Sequence, residues 1–310
     1  INHLPLPDDT LDQPAVAPST TRTPTDNHRT LLRNHPRTFQ KTRFVYPVLS
    51  RRSQGISVGI NLNPDKICNF DCIYCQVDRT RQSETRFVEM SQMLTELEYV
   101  LDLISSGSLY LDPRFSKVPT DQRRLNDLAF SGDGEPTTYR NFDRIVEKVA
   151  QVKRRRGLTD TKLVLITNAS MFHRKGIQRA LSTLNKNNGE IWAKLEAGTA
   201  DYFQLIDRTT IPFARILENI TYAGQLYPIV IQSLFMRVEI APPTQTELVA
   251  YYKRLEEMVL AGVTIKHVQI YTVARPPAES YVSALADEEL QQIAMAVRQR
   301  LSIPVEWYPN

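Results

Sequence analysis

The chain has 310 residues, 42% of them hydrophobic and 23% charged, with a formal net charge of +4. That composition is ordinary for a folded protein and excludes a wholly disordered chain, and the length allows one large domain or two small ones around a sizeable core. No run of 18 apolar residues occurs, which excludes a simple membrane-spanning helix, and the polar, proline-rich start lacks the apolar stretch of a secretory signal, so a cytoplasmic setting is expected.

Residues 1–43 are rich in Pro, Thr, Asp and Asn and lack apolar periodicity. They are expected to form a basic, disordered arm ahead of a folded domain over 44–310. Eight basic residues against the single acid Asp26 fall between Arg22 and Arg52, an excess that suits either a polyanion or a solvated tail. Alternation of Ile56, Val58, Ile60 and Leu62 predicts a strand over 56–63. A helical stripe follows in Met90, Met93, Leu94, Leu97, Val100, Leu101 and Ile104, stopped near Gly107. The connection 105–125 is long and is expected over the surface or near a site. Strands are then predicted at 126–132, 162–168, 190–198, 229–238 and 265–273. They alternate with apolar helical stripes that begin at Phe142, Ile177, Phe213, Leu248 and Leu290. Lys153–Arg156 before Gly157 suits a helix C-terminus, and Thr244 with Glu247 three residues on reads as a capping box.

Six strands alternating with six helices predict parallel βα units joined by right-handed crossovers. Six units are too few to close an eight-stranded barrel. The predicted fold is therefore α/β, an incomplete (β/α)6 TIM-type barrel of parallel strands with an irregular N-terminal arm. Such folds bind ligands at the C-terminal ends of their strands. Five unusual segments fall there: ICNFDCIYCQ (67–76), SGDGEPTT (131–138), TNAS (167–170), LEAG (195–198) and ARPPAE (274–279).

The chain has only three cysteines, and Cys68, Cys72 and Cys75 share one loop. An odd count argues against a disulfide framework. A thioredoxin-like Cys72-x-x-Cys75 would not need Cys68. Zinc would need a fourth ligand from the five histidines. An iron–sulfur cubane usually takes four cysteines, so three would leave one iron open to an outside ligand, a catalytic arrangement.

Cys68-x-x-x-Cys72-x-Tyr74-Cys75 resembles the CxxxCxΦC signature, with Φ aromatic, of the radical S-adenosylmethionine (radical SAM) superfamily. With the GEP, TNAS, LEAG and ARPPAE segments in order, residues 44 to 300 resemble its iron–sulfur oxidoreductases grouped with the wyosine tRNA-modifying synthases. The resemblance implies a 4Fe–4S cluster on Cys68, Cys72 and Cys75 whose open iron takes SAM. It also implies reductive cleavage of SAM to a 5′-deoxyadenosyl radical, with electrons from a flavodoxin- or ferredoxin-type donor. It sets Tyr74 near the adenine, Gly134 and Glu135 near the SAM amino group, Asn168 near the ribose or carboxylate, and Glu196 near the ribose. Asp133 departs from the family's GGEP turn by replacing its first glycine.

Strand parity adds a reading of its own, because Trp192, Lys194 and Glu196 share one face. Lys194 and Glu196 are costly to bury unless they pair or bind a ligand, so both are candidate SAM-binding residues. Gln232, Gln269 and Arg275 are secondary, substrate-facing candidates. The substrate stays open. A tRNA would suit the basic arm, yet wyosine synthases carry extra cysteines for a second cluster and this chain has none to spare. A non-catalytic, zinc-binding nucleic-acid module is the remaining alternative, and no membrane partner is expected.

Overall fold

The computed structural model describes residues 36–50, 52, 54–79 and 85–309. Most of the expected arm, including Arg22, Arg29 and Arg33, lies outside the described residues. Its last part is described: Phe39 is buried and meets the edge of Phe115, ring centroids 5.9 Å apart.

Strands β1 (Val45–Ser50), β2 (Gly55–Ile60), β3 (Leu125–Phe130), β4 (Lys162–Thr167), β5 (Gly189–Lys194) and β6 (Ile229–Leu234) pair in chain order. The short β7 (Met236–Val238) leaves the sheet, which continues through β8 (Ile265–Tyr271), skips β9 (Val282–Ala284), and ends on β10 (Val305–Tyr308). From β2 to β10 every pairing in the main sheet is parallel, and β1 lies antiparallel on the edge. The sheet curls into a half-barrel, an incomplete TIM-type barrel. The helices are α1 (Met90–Ser105), α2 (Phe142–Arg155), α3 (Lys175–Asn185), α4 (Ala200–Asp207), α5 (Phe213–Leu226), α6 (Gln245–Leu260) and α7 (Asp287–Leu301).

Alternation along the strands divides the apolar residues between two faces. Leu128, Leu163, Leu165, Ile191, Ala193 and Ile231 join the main core with Ile145, Val149, Leu181 and Ile220 from the helix stripes. Ala129, Val164, Trp192 and Val230 form a separate small cluster, as a period of two requires. Each fully buried Leu or Ile contributes ~1.5–3 kcal/mol from area removed from water. The helices thus hold the convex face and leave the concave face to this small cluster and to polar groups.

All six predicted parallel strands are present, with three differences. The expected strand 229–238 breaks after Leu234, because its partner strand ends at Tyr271 and Met236–Val238 pairs instead with Val282–Ala284. Strands β1 and β10 were not anticipated. Pro47 weakens the strand pattern of β1, and a proline is tolerated only on an edge such as this one. Helix α4 was also missed, since Phe203 and Ile206 alone supply its buried apolar residues. The 105–125 connection holds two short 3-10 turns that bury Leu109, Phe115 and Val118, and it does not line the cleft described below. The cap at Thr244 accepts from the Glu247 N–H at 3.2 Å. The Glu247 carboxylate, however, turns away to Gly198 and Thr199, pinning α6 to the loop after β5.

Candidate active site

The concave face holds a cleft of about 310 Å³, lined by loops that follow β2, β3, β4, β5 and β8. Cys68, Cys72 and Cys75 all line it as free, half-buried thiols. Their loop is clamped by its backbone. The Asp71 and Ile73 N–H groups donate to the Asp207 and Ile206 carbonyls at the end of α4, at 3.2 and 2.9 Å, and Ala278 N–H donates to the Cys75 carbonyl at 2.7 Å. Thr209 Oγ1 holds the Asn69 carbonyl at 3.0 Å.

Asp207 is the centre of this clamp. Its Oδ1 accepts from Cys72 Sγ and from the Tyr74 hydroxyl, both at 3.2 Å. Burial pushes the Cys72 thiol well up, and the Asp207 charge adds to that; burial raises Cys68 as well. Tyr74 is buried against the thiols, and Lys194 Nζ lies 5.1 Å from its ring centroid. Burial alone would pull the Lys194 pKa down, but Tyr271, Glu196, Cys72 and Asp207 together raise it. Both carboxyls are pushed up, Glu196 by burial and then by Asp207, and Asp207 by burial. One ammonium therefore serves two buried acids. Glu196 Oε1 is buried with no hydrogen-bond partner.

The GEP turn is built on close approach. A Cβ at Gly134 would stand 2.4 Å from the Ile67 carbonyl oxygen, and one at Gly132 would stand 2.1 Å from Asn61 Oδ1, so only glycine fits. Asn61 Nδ2 donates to Asp133 at 2.7 Å, and Arg37 reaches the same carboxylate at 3.6 Å. Glu135 fixes the turn. Its Oε1 accepts from Thr137 N–H, Thr137 Oγ1 and Thr167 Oγ1 at 3.1, 2.5 and 2.6 Å, and its Oε2 from Asn168 N–H at 2.7 Å. Asn168 has the same character: its Oδ1 accepts from Ser170 N–H and Oγ, and its Nδ2 donates to Asn69 Oδ1 at 2.9 Å. These bonds tie the ends of β3 and β4 to the cysteine loop.

All but one of the residues singled out in the sequence lie along this one cleft: the three cysteines, Tyr74, Gly134, Glu135, Asn168, Lys194 and Glu196, with Gln232 and Arg275. Gln269 does not line it but holds Gln232 from behind. Asp207, Asn69 and the Arg37–Asp133 pair were not anticipated. Asp207 carried no legible signal, because the helix whose last turn holds it was itself missed. Among the described residues no three His, Cys, Asp or Glu side chains are grouped for a single metal ion, and neither His173 nor His267 lines the cleft.

No protein-family model matches the chain. Over 252 residues it is 25% identical to a UPF0026 protein of Helicobacter pylori, covering 79% of this chain and 70% of that one. It is 24% identical over 262 residues to a UPF0026 protein of Methanocaldococcus jannaschii, covering 80% and 68%. It is also 24% identical over 289 residues to a protein of Brachyspira hyodysenteriae named GTPase Obg, covering 89% of this chain but only 36% of that one. No glycine of this chain is followed by lysine, so the phosphate loop of a GTPase is absent from it. Among solved structures, Streptococcus suis SuiB bound to S-adenosylmethionine is similar at TM-score 0.49 and 11% identity, over 84% of this chain and 49% of that one. Archaeal TYW1 is similar at TM-score 0.44 and 13% identity, over 79% and 72%. Neither likeness carries an argument at such scores, and the fold rests on the strand order above. The chain is a sequence relative of the UPF0026 proteins, and it carries the cysteine signature and motif order of the radical SAM superfamily.

Proposed function

We propose that this protein is a radical SAM enzyme that holds a 4Fe–4S cluster through Cys68, Cys72 and Cys75. The observation that carries the reading is three free thiols in one clamped loop, lining the cleft at the ends of parallel strands. The donor set fits the group: thiolates are the ordinary ligands of iron–sulfur clusters, and neither described histidine, His173 or His267, lines the cleft to complete a Cys3His zinc site. The buried, unpartnered Glu196 Oε1 fits a hydroxyl donor from a bound cofactor. When bound, the cluster supplies the electron that cleaves SAM to a 5′-deoxyadenosyl radical.

The chain's own contribution is positioning and exclusion of water. Gly132 and Gly134 let the GEP backbone approach the cysteine loop, and Glu135 and Asn168 hold that backbone from behind rather than offering their own side chains. Tyr74 and Lys194 form one wall beside Cys72, and Asp207 orients Tyr74. Phe70, Phe203 and Ile216 supply apolar lining near the thiols. A flavodoxin- or ferredoxin-type donor supplies the electron, and substrate hydrogen is the target.

The test is anaerobic reconstitution with iron and sulfide, reduction with dithionite, addition of SAM and assay of 5′-deoxyadenosine, with Cys72→Ala beside it. The expected result is a brown protein with about four irons per chain and a nucleoside product that the variant does not make. Tight zinc in place of iron, or a loaded protein that makes no more product than Cys72→Ala, would overturn the proposal.

A further inference from the structure

Away from the thiols, the cleft contains a second unsatisfied group. Gln232 on β6 is fully buried and lines the cleft. Its Nε2 donates to Gln269 Oε1 at 2.7 Å, whereas its own Oε1 has no partner. A buried amide oxygen without a donor is costly, and a donor on a ligand or a bound water would satisfy it.

The strand register shows what surrounds that oxygen. Gln232 pairs with Lys194 on β5 and with Gln269 on β8. Trp192 is one same-face position before Lys194, and Tyr271 is one same-face position after Gln269. Gln232 therefore sits at the midpoint of the diagonal from Trp192 to Tyr271. Arg52, from the β1–β2 turn, crosses onto the same diagonal. Its guanidinium carbon is 4.5 Å from the Tyr271 ring centroid and 5.9 Å from that of Trp192. Beside these two ring contacts it makes no hydrogen bond or ion pair among the described residues. Stacking of this kind holds a guanidinium plane while leaving its N–H fork available, and that fork matches a carboxylate or a phosphate.

We propose that Arg52 and Gln232 form the substrate-anchoring subsite, selective for a small oxyanion that carries an O–H or N–H donor on a neighbouring atom. The oxyanion takes the Arg52 fork, and the donor fills Gln232 Oε1. The inference rests on the radical SAM reading only in calling the ligand a substrate; the subsite itself needs neither cluster nor SAM.

The experiment is therefore a binding titration on the full chain without reductant, followed by calorimetry or by ligand-observed NMR. The probes are lactate, acetate, inorganic phosphate and neutral propane-1,2-diol. Lactate should bind saturably and at least ~5-fold tighter than acetate, which lacks the donor, and the diol should not bind; one hydrogen bond is worth a factor of this order. Arg52→Ala, a turn substitution outside the core, should weaken lactate and phosphate by ~10-fold or more. Gln232→Leu should abolish the preference for lactate over acetate and leave acetate itself unchanged. Phosphate tighter than lactate would assign a phosphorylated ligand, and the reverse order a hydroxy- or amino-carboxylate; both support the subsite. No saturable binding of either anion, or equal binding by Arg52→Ala, would overturn it. Neither result bears on SAM cleavage, so failure here and failure of the radical reading are separable.

Discussion

Replacing Glu135 by alanine separates a turn-holding role from direct cofactor binding. The wild-type carboxylate accepts four hydrogen bonds, two from backbone N–H groups of Thr137 and Asn168 and two from the Thr137 and Thr167 hydroxyls. The side chain is 3% exposed, so water does not replace it in the variant. The hydroxyls can rotate toward other acceptors, but the two amides cannot. At ~1–3 kcal/mol for each buried donor left unpaired, the gross cost is ~2–6 kcal/mol. Removing a carboxyl that burial has already pushed up returns part of that, leaving ~3 kcal/mol. Urea denaturation followed by circular dichroism should show that loss, and calorimetric SAM binding by the reconstituted protein should weaken in parallel as the GEP turn loosens. Glu135→Gln should recover part of both, since an amide oxygen still accepts. A Glu135→Ala protein as stable as wild type but unable to bind SAM would refute this reasoning and return Glu135 to direct contact with the ammonium.

Three further outcomes follow from the same geometry. Gly134→Ala places a Cβ 2.4 Å from a backbone carbonyl and should cost ~1–3 kcal/mol, with less iron retained per chain after reconstitution; wild-type iron content and melting temperature would contradict the close-approach argument. Asp207→Ala leaves the buried Tyr74 hydroxyl without its acceptor, which should cost ~1–3 kcal/mol in denaturant and loosen the cysteine loop, read as faster cluster loss to a chelator. Glu190 should govern acid stability: burial opposes its charge, but hydrogen bonds from Lys266, Lys162 and Trp192 hold its pKa at about 2, below the ordinary 4.5. The span is ~3.4 kcal/mol by linkage, reduced to ~2 kcal/mol because both lysines are half exposed to screening solvent. A depressed pKa stabilises fully above pH 4.5 and is lost as pH falls through 2. The stability gap between wild type and Glu190→Gln should therefore be widest at pH 7 and clearly smaller at pH 3; a gap independent of pH would refute the assignment.

Much of this architecture was legible in the sequence because its signals are local. Apolar residues at period two around Val58, Leu163 and Ile231, and at helical spacing around Val149 and Leu181, require nothing distant to be read, and they located six of the seven parallel strands. Parity along β5 likewise put Trp192, Lys194 and Glu196 on the cleft side before any fold was known. The motif loops then fell at the strand ends, where parallel sheets bring their successors together. What stayed hidden depended on partners far away in the chain. Glu135 and Asn168 looked equally suited to hold a cofactor or to shape a turn, and only the fold reveals the four donors around Glu135 and the Ser170 and Asn69 bonds around Asn168 that engage both side chains. Asp207 meets Cys72 across 135 residues of chain, through a helix too short and too weakly patterned to announce itself. Strand β10 has four residues and gains its stability from β8 rather than from its own pattern. The sequence by itself determined the six βα strands, the faces of the helices it located and the cysteine loop, because backbone periodicity and side-chain chemistry are properties of neighbours. Only the tertiary structure decided which carboxylate meets which thiol, and that Arg52 reaches the rings of Tyr271 and Trp192, because curvature and register act over the whole sheet at once.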